Sequence, residues 1–193
     1  VQTPPKAPDS TAPWRSSIGT LYLSDTNLLP TETLTSSYEL LIPAFTSWSP
    51  NSLTMTGGWV RLPGEMTLSV ANNMTVGQDG VLELGEHTTL TVGGDLSVTD
   101  GGKLKIHAGT TNGAPWAEYG ALVQVQGDIL VGSNSVLSPL SHPSNGGSPH
   151  FEADNLTVEE TGHIDADGTG YQGRGGGFSA AQGPGAGDSG GNE

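Results

Sequence analysis

The chain has 193 residues, enough for one sizeable core, and its 20 Asp and Glu against six Lys and Arg give a formal net charge of −14. That balance repels nucleic acid and anionic lipid surfaces, and no run of about 18 apolar residues is present to cross a bilayer as a helix. With no cysteine, disulfides and thiolate metal sites are excluded, so stability must come from packing of the chain on itself.

Residues 1–52 are rich in Pro, Ser and Thr. Two runs inside them, Ile18–Leu23 and Tyr38–Ile42, have strand character. The remainder is expected to be an irregular capping segment, because the end of a stacked β structure exposes strand edges and apolar core that need cover. A donor strand docking on a neighbouring subunit is the alternative. The opening Val1-Gln-Thr-Pro-Pro-Lys6 suits a terminus left by processing. The last residues, Gly187–Glu193, end without a closing element, as expected of a segment of a larger protein.

From Leu53 to residue 167 apolar residues alternate in short runs bounded by Gly, Asn and Asp, a period of two. Within this stretch a spaced triplet, Φ-x-Φ-x5-Φ with Φ apolar, recurs four times: Met74, Val76 and Leu82; Leu96, Val98 and Leu104; Ile129, Val131 and Leu137; Leu156, Val158 and Ile164. Recurrence at intervals of about 20–30 residues is the mark of a solenoid. The match extends upstream to Leu68 and Val70, Leu90 and Val92, Val123 and Val125, Phe151 and Ala153, and downstream to Leu84, Ile106, Pro139 and Ala166. Each unit therefore supplies three short strands. Turn-rich insertions at residues 110–120 and 141–149 lengthen two of the units and are expected to bulge from corners. The expected fold is all-β: a right-handed parallel β-helix of four to five coils over residues 53–167, right-handed because parallel crossovers overwhelmingly are. A β-sandwich is the rival, but it does not require the same triplet in every unit.

Register then becomes chemistry, since equivalent residues of successive coils lie about 4.8 Å apart. The residue before each triplet is Asn73, Asp95, Asp128 or Asn155, types that hydrogen-bond nearby amides and suit a tight corner. Asn73-Met-Thr75 and Asn155-Leu-Thr157 are also acceptor tripeptides for N-glycosylation. Outward columns should contain Glu83, Lys105, Ser138 and Asp165 in one file and Ser69, Thr91, Gln124 and Glu152 in another, with Glu83 and Lys105 forming a surface ion pair. Trp116 and Tyr119, in the first insertion, are placed either to stack on sugar rings or to anchor the insertion beneath itself.

Catalytic and metal signals are sparse. The five histidines show no zinc-binding spacing. Asp165-Ala-Asp167-Gly168 begins like a calcium loop, which makes Asp165 and Asp167 candidate calcium ligands, but the remaining donors of such a loop are missing and a turn explains the residues as well. Lys103 and Lys105 share an outward face one coil from Asp79 and Glu83, an arrangement that a polysaccharide lyase would use and that ordinary charge alternation also produces. Gly187-Asp188-Ser189-Gly190-Gly191 is similar to the sequence around a protease serine, yet it sits in a glycine tract. Residues 168–193 hold too few apolar side chains for a core of their own; they form either a tail or a glycine-rich loop anchored by Tyr171 and Phe178.

The segments Leu90-Thr-Val-Gly-Gly-Asp-Leu-Ser-Val98 and His163-Ile-Asp-Ala-Asp-Gly-Thr-Gly-Tyr-Gln-Gly-Arg-Gly-Gly-Gly177 resemble the β-helical, glycine-rich regions of large extracellular proteins: bacterial haemagglutinin- or adhesin-like proteins and surface proteins of unicellular eukaryotes. The resemblance spans residues 65–190 and implies surface attachment and matrix or filament building; it carries over no catalytic residue. The expectation is a non-catalytic extracellular or cell-surface module that builds a filament, coat or matrix by subunit stacking, through self-association or with other surface and matrix proteins. A carbohydrate-binding or polysaccharide-lyase-like β-helix, with glycans as partners, is the second reading.

Overall fold

In the computed structural model, residues 19–23, 32–41, 45–113, 115–167 and 169–170 are described. Three strands come first, β1 (Thr20–Tyr22), β2 (Thr33–Leu34) and β3 (Tyr38–Leu41). Five coils of three strands follow: β4 (Ser47–Trp48), β5 (Leu53–Thr56) and β6 (Trp59–Leu62); β7 (Thr67–Val70), β8 (Met74–Gly77) and β9 (Val81–Leu84); β10 (Thr89–Val92), β11 (Leu96–Val98) and β12 (Lys103–His107); β13 (Ala121–Val125), β14 (Ile129–Val131) and β15 (Val136–Leu140); β16 (Pro149–Glu152), β17 (Leu156–Val158) and β18 (His163–Ile164).

From β2 onward every third strand joins the same sheet. The first sheet runs β4-β7-β10-β13-β16, the second β2-β5-β8-β11-β14-β17 and the third β1-β3-β6-β9-β12-β15-β18. All pairings are parallel, so the molecule is a parallel β-solenoid of about five coils and not a sandwich.

The triplets fall over one another as their spacing predicts. Met74, Leu96, Ile129 and Leu156 form one column, Val76, Val98, Val131 and Val158 a second, and Leu82, Leu104, Leu137 and Ile164 a third. Alternation sends these side chains inward, where all but the last coil's are buried; each such Leu or Val contributes about 1.5–3 kcal/mol relative to exposure.

A fifth triplet precedes the four: Leu53, Met55 and Val60 pair with Met74, Val76 and Leu82. Its last interval is one residue shorter than the repeat, because Gly57 and Gly58 make the turn with φ of 65° and 68°, whereas the next coil turns through Gln78 and Asp79 at 50° and 57°. The strand runs expected near residues 18–23 and 38–42 are β1 and β3, which pair in parallel as the edge of the third sheet.

Each corner before the second sheet is tied to the next by a side chain. Asn73 Oδ1 accepts the Asp95 N–H at 3.0 Å, Asp95 Oδ1 accepts the Asp128 N–H at 3.0 Å, and Asn155 Nδ2 donates to Asp128 Oδ1 at 2.7 Å. A Cβ at Gly94 or Gly127 would displace the Asn73 or Asp95 oxygen from this ladder. The two insertions meet each other: Asn145 Nδ2 donates to Asn112 Oδ1 at 3.1 Å, and the Gly120 N–H donates to the Ser148 carbonyl at 2.9 Å.

Candidate functional site

Glu83 is the one buried charged residue among the described residues, 3% exposed. Its neighbours Leu82 and Leu84 point into the core, so strand alternation turns Glu83 outward, and side chains from the adjoining coils close over it. Oε1 accepts from Arg61 Nε at 3.1 Å, Arg61 Nη2 at 2.6 Å and His107 Nε2 at 2.7 Å; Oε2 accepts from Trp59 Nε1 at 2.9 Å. Burial pushes the carboxyl pKa up, but the hydrogen bonds from His107 and Arg61, together with their positive charge, outweigh it and bring the value from 4.5 down to about 2.

In place of the expected Glu83–Lys105 ion pair, Glu83 pairs with Arg61. Glu83 and Lys105 are in register, but Arg61 on the other flank offers a forked donor that an ammonium cannot match, and Lys105 Nζ instead lies 5.7 Å from the Trp59 ring centroid. This clasp spans β6, β9 and β12. Both Glu83 oxygens accept hydrogen bonds from Arg61, His107 and Trp59, so within the Lys103, Lys105, Asp79 and Glu83 grouping this carboxylate is engaged by the fold's own side chains.

The first insertion brings a row of rings over the outer face of the first sheet. The Trp116 ring stacks on His87 at 5.2 Å and 25°, meets Tyr119 edge-on at 6.0 Å and 81°, and Tyr119 stacks on His150 at 5.3 Å and 16°. Trp116 and Tyr119 are half-buried, so they anchor the insertion and still present surface. His87 stands in a turn at φ 55°; its Nε2 is hydrogen-bonded to the Thr110 carbonyl at 2.8 Å and its backbone N–H donates to the Gly120 carbonyl at 3.1 Å. Beside this stack lies an open cleft of about 460 Å³, lined by Glu65, Thr67, His87, Thr89, Thr110 and Trp116 among others. Thr67 and Thr89 are register partners in β7 and β10. Sequence reasoning singled out the two insertion aromatics but not His87 or Glu65, which lie in turns between strands and carry no periodic signal.

Asp165 and Asp167 share the turn after β18. Asp165 Oδ1 accepts the Asp167 N–H at 3.0 Å, and Thr169 Oγ1 donates to the Ala166 carbonyl at 2.6 Å. Among the described residues no group of three or more His, Cys, Asp and Glu converges as metal ligands. Asn73 and Asn155 are exposed at their corners. Tyr171, Phe178 and the Gly187–Gly191 stretch lie outside the described residues.

The last coil presents a different surface. Leu156, Val158 and Ile164 are 51%, 42% and 43% exposed, whereas their counterparts one coil earlier, Ile129, Val131 and Leu137, are 2% exposed or less. An apolar cavity of about 320 Å³ opens there, lined by Leu137, Pro139, Phe151, Leu156, Ile164 and Ala166 among others. No family model matches the chain, and neither a curated protein nor a solved structure matches it.

Proposed function

We propose that the chain is a non-catalytic structural and adhesive module of the extracellular space or cell surface, extended by stacking one copy on the next. The observation that carries this reading is the final rung, whose Leu156, Val158 and Ile164 are left exposed among the described residues. Inside the solenoid each rung is covered by a parallel rung whose apolar residues lie in register with its own, and the surface best matched to Leu156, Val158 and Ile164 is therefore another rung of parallel strands.

A second copy can supply it. At the opposite end, β4, β2 and β1 are the outermost strands of the three sheets among the described residues, and an outermost strand is a template for parallel pairing. A contact between opposite ends is heterologous, and stacked along the solenoid axis it generates a filament. The adhesin-like resemblance of residues 65–190, the polar outward columns and the acceptor tripeptides at Asn73 and Asn155 support an extracellular location.

Sedimentation velocity of the purified chain across a concentration series tests the proposal, with a Leu156→Asp, Ile164→Asp double variant as comparison. The wild-type chain should form larger species as concentration rises, and the variant, with an unchanged far-UV spectrum, should remain monomeric. A wild-type chain monomeric throughout, or a variant that assembles equally well, overturns it.

A further inference from the structure

We infer that the cleft beside the His87–Trp116 stack is a glycan-binding site that takes a neutral or amino sugar. It lies on the side of the solenoid, on the outer face of the first sheet, away from the end rung proposed for stacking, and does not depend on assembly.

The floor is the hydroxyl pair Thr67 and Thr89, held in register on adjacent strands. One wall is the half-buried indole of Trp116, and the rim carries the exposed Glu65. A ring wall facing hydroxyls and a carboxylate matches a pyranose, which has apolar C–H faces and a girdle of hydroxyl groups. A volume of about 460 Å³ falls within the range of small-molecule sites and accommodates one or two sugar units.

The polar groups bias the choice of sugar. Glu65 is acceptor-only when ionised, and His87 Nε2 is taken up by the Thr110 carbonyl. Thr67 and Thr89 can donate or accept. The ligand must therefore be rich in donors, as hydroxyl and ammonium groups are. Glu65, the adjacent Glu86 at the neighbouring corner and the net charge of −14 disfavour uronates, sulfated sugars and phosphate. That preference is opposite to the acidic sugar a polysaccharide lyase would take.

The wall is also preorganised. Trp116 is stacked on His87, the Gly109 N–H donates to the Gly120 carbonyl at 2.8 Å, and the Gly120 N–H donates to Ser148. The base of the insertion is thus pinned to itself and to the second insertion, which lowers the ordering cost of binding.

A glycan array probed with the purified chain, followed by calorimetric titration of the best neutral or amino sugar, tests the inference. Trp116→Ala and Thr89→Val should each weaken binding by about tenfold or more. Thr89→Val leaves the row of rings in place, so its effect cannot be ascribed to collapse of the insertion. Trp59→Ala, on the third sheet, should leave affinity unchanged, and the Leu156→Asp, Ile164→Asp variant should bind sugar as well as wild type, which separates this site from the stacking proposal. Absence of any bound glycan, selective binding of acidic glycans or of cationic peptides instead, or binding that survives both Trp116→Ala and Thr89→Val would overturn it.

Discussion

Replacing Glu83 by Gln should cost the fold about 2–3 kcal/mol at pH 7, and the cost should disappear in acid. Two routes give the magnitude. The fall of the Glu83 pKa from 4.5 to about 2 corresponds to about 3 kcal/mol of stability carried by the ionised form. Independently, removing one partner of a buried ion pair typically costs about 3–5 kcal/mol; here the orphaned donors, Arg61 and His107, have side chains 41% and 36% exposed and can rehydrate, which places the cost at the low end. The sign follows from a carboxyl whose folded pKa is depressed: its contribution is complete above the unfolded value near 4.5 and is lost as pH falls toward 2. Urea denaturation of wild type and Glu83→Gln, followed by far-UV circular dichroism at pH 7, 5, 3.5 and 2.5, reads the difference directly. Glu39→Gln, at the exposed position paired with Arg61 in register, should stay within about 0.5 kcal/mol of wild type and serves as control. A Glu83→Gln difference below about 0.5 kcal/mol at pH 7, or one that does not narrow between pH 5 and 2.5, would refute the clasp as an element of stability.

Three further outcomes follow from the geometry. Gly102→Ala should destabilise by about 1–3 kcal/mol, because its Cβ would meet the Val76 backbone carbonyl, whereas Gly113→Ala, with open space around the added methyl, should be near neutral; paired thermal melts compare them. Leu104→Ala, at a fully buried position, should cost about 2–5 kcal/mol, while the equivalent change at Ile164 on the open rung should cost the monomer under about 1.5 kcal/mol, and equal losses in chemical denaturation would contradict the assignment of the open end. Expressed through a eukaryotic secretory pathway, the chain should carry glycan at Asn73 and Asn155, seen as a mass shift removed by endoglycosidase and by Asn→Gln at both positions; an unmodified mass would remove that support for an extracellular location.

Much of the fold is legible in sequence because a stacked architecture repeats its constraint. Val76, Val98, Val131 and Val158 each occupy the same inward position and had to be apolar, so the spacing survives insertions of different length. The coil at Leu53, Met55 and Val60 escaped because a Gly57-Gly58 turn shortened its interval by one residue, and a period detected by fixed spacing is blind to that change. The Asn/Asp corner ladder was legible for the same reason as the core, one residue type recurring at one register position. The candidate sites were not. Glu83 looked like a surface residue from strand alternation, and its burial depends on Trp59, Arg61 and His107 folding over it from two other coils, a property of side-chain length and direction that spacing does not encode. The cleft depends on where an insertion lands: Trp116 was visible as an aromatic in a loop, but its partner His87 lies 29 positions earlier in a turn and belongs to no repeat column.

Cryo-electron microscopy of the purified chain at assembly concentration is the most direct test of the central claim. The account predicts filaments in which the rung spacing of about 4.8 Å continues across each junction, with β16, β17 and β18 of one copy followed in parallel by the outermost N-terminal strands of the next. Isolated particles, or filaments built by lateral contacts that leave Leu156, Val158 and Ile164 facing solvent, would contradict it.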